Sequence, residues 1–142
     1  MRVIRKRQAT ACLCLTIRRL TAGVTKYYDQ VLAPCGVTAN QYSVLLNISR
    51  AEHCSIRELA DMAELDRSTL ARNLKPLFNQ GLVADTKEPG TRNSRLELTA
   101  AGQKTLECAG SLWAQAQERV KRKLGEEGQA ALEKLVVSLE GL

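Results

Sequence analysis

The sequence predicts a mainly α-helical domain carrying one small β-hairpin, and three observations predict it. Apolar residues recur at helical spacing through most of the chain. Two capping boxes and a capping aspartate mark helix starts at Thr38, Ser55 and Asp66. A single Pro- and Gly-containing stretch separates two short apolar runs, as a hairpin tip does. The chain has 142 residues, enough for one core and short for two, and 44% hydrophobic with 25% charged residues is ordinary globular composition. With one Phe and one Trp, the core has to rely on Leu, Val, Ala and Ile.

The first helix is expected from about Thr10 to Ala33. Leu13, Ile17, Leu20, Val24, Tyr27 and Val31 follow one another at spacings of four and three, and Pro34 with Gly36 ends the run. So long an apolar seam on so small a domain implies burial against a second copy. Thr38 to Gln41 opens helix two, with Tyr42, Leu45, Leu46 and Ile48 on its apolar face. Ser55 to Glu58 opens a short third helix bearing Ile56, Leu59, Ala60 and Ala63. Leu65-Asp66 is a tight break, and Asp66 caps a fourth helix to about Gln80, with Leu70, Leu74, Leu77 and Phe78 turned inward. Pro76 cannot donate to the Arg72 carbonyl, so a bend is expected there.

Gly81 stops that helix, and Leu82 to Asp85 is short and apolar enough for a strand. Pro89, Gly90 and Asn93 supply turn chemistry between Thr86 and Ser94, and Leu96 and Leu98 alternate with Glu97 on the return strand. Two more helices follow, Ala100 to Leu124 and Glu126 to Leu139, split at Gly125. Two short helices joined by a tight break and followed by a hairpin make a winged helix-turn-helix, a DNA-reading arrangement. One domain is therefore expected over 1–142, with 37–99 as the reading region and 8–36 and 100–142 as a dimerisation scaffold.

Composition narrows the partner. A formal charge of +6 favours an anionic partner, of which nucleic acid is the commonest, and the winged helix-turn-helix makes it double-stranded DNA. No stretch of 18 apolar residues is present and Met1 to Ala11 lacks a signal-peptide core, so no membrane partner and a cytoplasmic location are expected. Cys12, Cys14, Cys35, Cys54 and Cys108 are odd in number and show no scaffold rhythm, which reads as free thiols in a reducing compartment. His53-Cys54 is read as a loop without catalytic partners. With no phosphate loop, metal triad or paired carboxylates, an enzyme is excluded and neither cofactor nor resident metal is expected.

The outward face of helix four carries Arg67, Ser68, Thr69, Arg72, Asn73 and Lys75. Guanidinium groups donate in a fork to phosphate or to guanine O6 and N7, hydroxyls bond phosphates or base edges, and an Asn amide matches adenine. The hairpin tip adds Arg92, Asn93 and Arg95, with Lys87 close by, a basic tip suited to the minor groove or backbone. A sequence-nonspecific DNA binder is the rival reading of the same charge.

Leu65-Asp-Arg-Ser-Thr-Leu70, Leu77, Gln80-Gly-Leu-Val83 and Leu96-Glu-Leu-Thr-Ala-Ala-Gly102 resemble the MarR family of bacterial regulators, over most of the chain. The resemblance implies a homodimeric repressor on a pseudo-palindromic operator, with Ser68, Thr69 and Arg72 facing bases and Arg92 as the wing arginine. Gly90 stands where the family has an acidic wing residue. Cys14, Tyr28 and Gly36-Val-Thr38 are similar in spacing to the peroxide-sensing OhrR branch, which implies an oxidisable Cys14 whose thiolate a tyrosine bonds. Arg18 occupies the place of that branch's second tyrosine. Fourteen helical residues span about 21 Å, so Tyr28 reaches Cys14 only across a dimer junction. A small aromatic effector stays open, with Trp113 in the scaffold or in an effector pocket. So does a soft metal shared by Cys12 and Cys14, although on a regular helix these point about 200° apart.

Overall fold

The computed structural model of the chain describes residues 12–142. Helix α1 spans Leu13–Leu32, followed by a 3₁₀ turn at Ala33–Cys35. Helices α2 (Ala39–Ala51), α3 (Ile56–Ala63) and α4 (Arg67–Asn79) come next, then strands β1 (Val83–Asp85) and β2 (Leu96–Leu98), then α5 (Ala100–Leu139). The expected start of the first helix at Thr10 lies outside the described residues. Cys12 is its observed N-cap, in extended conformation and without a side-chain capping bond.

Each predicted cap is built. Thr38 Oγ1 accepts from Gln41 N at 3.2 Å while the Gln41 side chain accepts from Thr38 N at 3.0 Å. Ser55 and Glu58 repeat that reciprocal box on α3. Asp29 of α1 accepts from Ala39 N at 2.8 Å, tying the first helix to the start of the second. These bonds satisfy amide groups that a helix start leaves without partners. The core they enclose includes Leu32, Val44, Leu45, Ile48, Leu59, Leu70, Leu77 and Leu96, all fully buried.

The short sheet pairs β1 with β2 antiparallel, Val83 opposite Leu98 and Asp85 opposite Leu96. Leu82 is buried just ahead of the strand rather than within it. Cys54, expected in a loop, exchanges both backbone bonds with Leu96, at 3.2 and 2.7 Å, and so adds a bridge on the open side of β2. At the foot of the hairpin Thr99 Oγ1 donates to the Gly81 carbonyl and accepts from Gly102 N, capping α5. A Cβ at Gly102 would sit 2.0 Å from the Leu82 carbonyl oxygen. The Leu-Thr-Ala-Ala-Gly run therefore ends in glycine because α5 meets the backbone just ahead of β1 there.

Three expectations are corrected. Phe78 is 37% exposed, because it lies about 80° around the helix from the Leu70–Leu74–Leu77 stripe that faces the core. Ile56 is likewise exposed at the first turn of α3, where Leu59 alone is fully buried. The five cysteines are not all free. Cys35 and Cys108 form a disulfide, their Cα atoms 6.3 Å apart after 73 residues of intervening sequence. Cys14 and Cys54 carry free thiols, the first exposed and the second buried.

Helix α4 runs on through Pro76. Helix α5 breaks at Gly125, whose φ of 68° and ψ of 178° suit glycine, so the predicted division into two helices is real. Trp113 stacks on Tyr42 with ring centroids 6.0 Å apart, joining α5 to α2. The apolar residues of α1 stay largely uncovered, with Leu13 76% exposed, and so do Leu135, Val136, Val137 and Leu139 at the far end of α5.

Candidate nucleic-acid interface

Asp66 organises the first turn of α4. Its carboxylate accepts from Thr69 N at 2.8 Å, from Ser68 Oγ at 2.7 Å and from Thr69 Oγ1 at 3.0 Å. These bonds, led by the Ser68 hydroxyl, pull its pKa down from the usual 3.8 to about 2. Thr69 Oγ1 in turn accepts from Arg72 Nη2 at 3.2 Å. A relay thus runs from cap to hydroxyl to guanidinium. It holds one nitrogen of the exposed Arg72 fork and leaves the guanidinium's other N–H groups for a further acceptor. With its proton directed at Asp66, the exposed Ser68 hydroxyl is left as an acceptor, which suits amino groups on base edges, while Thr69 Oγ1 already accepts from Arg72.

Arg67, Ser68, Arg72 and Lys75 are exposed, and Thr69 is half-buried. Asn73 departs from the expected pattern: it is half-buried, and its amide donates back to the Thr69 carbonyl at 2.9 Å. Arg95 is exposed, but its guanidinium meets Glu97 at 3.3 Å, which shares its charge within the hairpin. Arg92 and Asn93 are exposed at the tip.

The wing is braced by a residue that sequence reasoning missed. Asp85, the last residue of β1, accepts from Arg95 N at 2.9 Å and from Lys87 N at 3.2 Å. These backbone bonds, the Arg95 one foremost, lower its pKa. Ser94 Oγ accepts from Ile56 N at 2.9 Å and pins the wing to the start of α3. Arg57, also missed, lines with Arg67, Lys87 and Arg92 a cleft of about 590 Å³ between α3, α4 and the wing. Four cations against Glu58 and Asp85 make this cleft an anion-facing surface continuous with α4. A lone Arg on a polar helix turn carries no sequence signal of this.

The sensing candidates lie elsewhere. Cys14 and Arg18 are exposed on the first turns of α1. Tyr28 is half-buried, and its hydroxyl donates to Gln117 Oε1 of α5. Burial, and next Tyr27, raise its pKa, so it stays a donor at neutral pH. Among the described residues no three His, Cys, Asp or Glu side chains are grouped to hold a metal ion. Nor is any described helix long and apolar enough to cross a membrane.

Residues 36–92 match the MarR family, a span that contains α2, α3, α4 and most of the wing. The chain is 30% identical over 105 residues to the HTH-type transcriptional regulator BilQ of Clostridium symbiosum, covering 73% of each protein. It belongs to the MarR family. A second relative is the organic hydroperoxide resistance transcriptional regulator of Bacillus subtilis, 29% identical over 91 residues, 63% of this chain and 62% of that one. Among solved structures, the M. tuberculosis transcriptional regulator MosR in complex with DNA superposes with a TM-score of 0.67 at 36% identity, covering 86% of this chain and 97% of that one. This MarR-family chain is thus a DNA-binding transcriptional regulator with a winged-helix fold, and its relatives are regulators rather than enzymes.

The cap on α4 has a pH signature. Its folded-state pKa of about 2 lies below the ordinary value. Its contribution to stability is therefore complete above about pH 5 and is lost as pH falls from about 4 through about 2. Thermal unfolding of wild type and Asp66→Ala across that range should show a constant gap in Tm above about pH 5 that closes on acidification. A gap independent of pH would mean that the charge of Asp66 plays no part.

Proposed function

We propose that the protein is a cytoplasmic homodimeric repressor that reads a pseudo-palindromic operator with α4 and clamps the flanking backbone with the wing. The observation that carries this reading is the Asp66–Thr69–Arg72 relay, which presents an oriented guanidinium beside the cationic cleft. The scaffold comprises 8–36 and 100–142 and the reading region 37–99. Two-fold symmetry sets the half-sites about one helical turn, roughly 10 bp, apart. Arg67, Ser68, Thr69, Arg72 and Lys75 enter the major groove, and Asn73 joins them only by releasing Thr69. Arg92, Asn93 and Arg95 approach the minor groove or phosphates. The solved DNA complex of MosR supports this assignment. A gel shift on DNA upstream of the protein's own gene tests it: saturable binding there and not on a scrambled duplex is expected, and equal binding to both would leave only nonspecific attraction.

Arg92→Ala should weaken binding to all sequences to a similar degree and lower the salt slope by about 1, as loss of a phosphate contact does. Anisotropy titrations over a range of salt concentrations read both quantities. A loss confined to one base-pair position would make the wing a sequence reader.

The signal enters at the α1 end of the scaffold. Oxidation of Cys14 to sulfenic acid or a mixed disulfide adds volume in a packed dimer junction, which responds by shifting its two halves and releasing DNA. Arg18, one turn on, places positive charge on the same side. The hydroperoxide-resistance relative supports this reading. In the reduced state Tyr28 of the partner subunit exchanges Gln117 for Cys14. With organic hydroperoxide, wild type and Cys12→Ser should leave the operator and return with dithiothreitol, while Cys14→Ser stays bound.

If wild type ignores hydroperoxide, a second reading takes over. A groove of about 580 Å³ between α1 and α5 is lined by Tyr27, Val31, Ala116, Arg119 and Arg122. The Arg119 guanidinium lies 5.4 Å over the Tyr27 ring, a pairing suited to a small aromatic acid.

A further inference from the structure

Only two stretches of chain join the scaffold to the reading region. One is the elbow between α1 and α2, made of the Ala33–Cys35 turn and the residues up to Thr38. The other is the start of α5, which leaves the wing at Thr99. Cys35 sits in the first and Cys108 about two and a half turns into the helix that begins at the second, and the disulfide cross-links them. A junction of two separate strands becomes a closed frame.

The Cα–Cα distance of 6.3 Å lies inside the range a disulfide spans without backbone movement. Cys108 is exposed and Cys35 half-buried, so small reagents reach the pair. Exposed disulfides are the labile, regulatory kind, whereas structural ones are normally covered.

We propose that Cys35 and Cys108 form a redox modification site, closed by hydroperoxides and opened by thiols, that locks the reading region against the scaffold. It is separate from Cys14, which lies at the opposite end of α1. In the closing reaction the Cys108 sulfur attacks the hydroperoxide and the O–O bond breaks. The alcohol departs with a proton, and Cys108 becomes a sulfenic acid. The Cys35 sulfur then attacks Cys108, the S–S bond forms and water leaves with the remaining proton. Two electrons pass from the two sulfurs to the peroxide. A fixed frame and a free hinge hold the two recognition helices differently. Because the fixed frame limits the freedom that operator binding has to quench, the closed form should bind operator at least about fivefold more tightly, the lower end of ordinary allosteric coupling, so that Cys14→Ser keeps its operator under hydroperoxide. That last step rests on the DNA-binding reading above, while closure of the site does not.

The test uses the full chain carrying Cys12→Ser and Cys14→Ser, reduced and then treated with tert-butyl hydroperoxide. Free thiols are alkylated and peptides mapped by mass. The expected result is joint loss of label at Cys35 and Cys108, recovery of one cross-linked peptide within a chain, and reversal by dithiothreitol. Operator affinity should rise with closure, and adding Cys108→Ser or Cys35→Ser should abolish both the cross-link and that rise. Continued alkylation of both residues, or a cross-link between chains on a non-reducing gel, would overturn the site. A cross-link with unaltered or weaker operator affinity would overturn its regulatory role. Failure of either form to bind operator would count against the DNA reading, with the mapping still deciding the site.

Discussion

Deleting residues 126–142 is expected to yield a poorly soluble monomer whose specific operator affinity falls by at least about a hundredfold. The deletion removes Leu132, Leu135, Val136, Val137 and Leu139, several of which lie more than half exposed on a single chain, as does Leu13. Exposed apolar stripes at both ends of the scaffold need a partner surface, and a second copy offers the matching stripe. Once two reading regions are joined, binding of the second half-site becomes intramolecular, which raises affinity by about 10²–10⁴. The cut falls at the Gly125 break, where the helix is already interrupted, so the core around α2 and α4 should survive. Sedimentation equilibrium and operator titration of the truncated chain provide the check. A well-behaved monomer with full operator affinity would defeat the dimer account.

Arg72→Ala should cost about 1–3 kcal/mol of operator binding, roughly tenfold to hundredfold in Kd, while leaving scrambled-DNA binding and the dimer nearly unchanged. The guanidinium is exposed and donates to the Thr69 hydroxyl, so its loss removes no core packing. Its weight in binding comes from being aimed before DNA arrives, because the relay from Asp66 limits the rotamer freedom that binding has to quench. Asp66→Ala should therefore reproduce part of the Arg72→Ala defect at neutral pH, through loss of aim rather than loss of charge. Anisotropy titrations of both variants on operator and scrambled duplexes separate the two contributions. Equal losses on both duplexes would move base reading away from α4.

The features legible in the sequence are those whose cause is local. Thr38–Gln41, Ser55–Glu58 and Asp66 each announce a helix because cap and first turn lie within four residues. Gly125 marks its break for the same reason, since a positive φ is a property of one residue. The exposed face of α4 followed from helical periodicity, which also placed Leu70, Leu74 and Leu77 correctly. Phe78 was misjudged because hydrophobicity alone does not say which side of the apolar stripe a residue falls on.

What could not be read depends on the chain returning to itself. The Cys35–Cys108 disulfide closes over 73 residues, and neither cysteine has a sequence neighbour that hints at the other. Cys54 becomes part of the sheet only because α2 ends against β2. Asp85 looks like the polar end of a strand, and its bracing role exists only once the hairpin brings Arg95 N to it. Gly90 has no side chain with which to brace the tip, whereas Asp85 holds Lys87 N and Arg95 N at the base of the wing. Arg57 gains its meaning from Arg67, Lys87 and Arg92, which approach it from α4 and the wing.

The central claim is that two copies of α4 read two half-sites of one operator. The most direct measurement is a titration of a fluorescent duplex from upstream of the protein's own gene, with mass determined by light scattering at saturation. The account predicts two chains per duplex, a protected footprint with two-fold symmetry and half-sites about 10 bp apart, and affinity well above that for a scrambled duplex at the same salt. One chain per duplex, or equal affinity for both sequences, would contradict it.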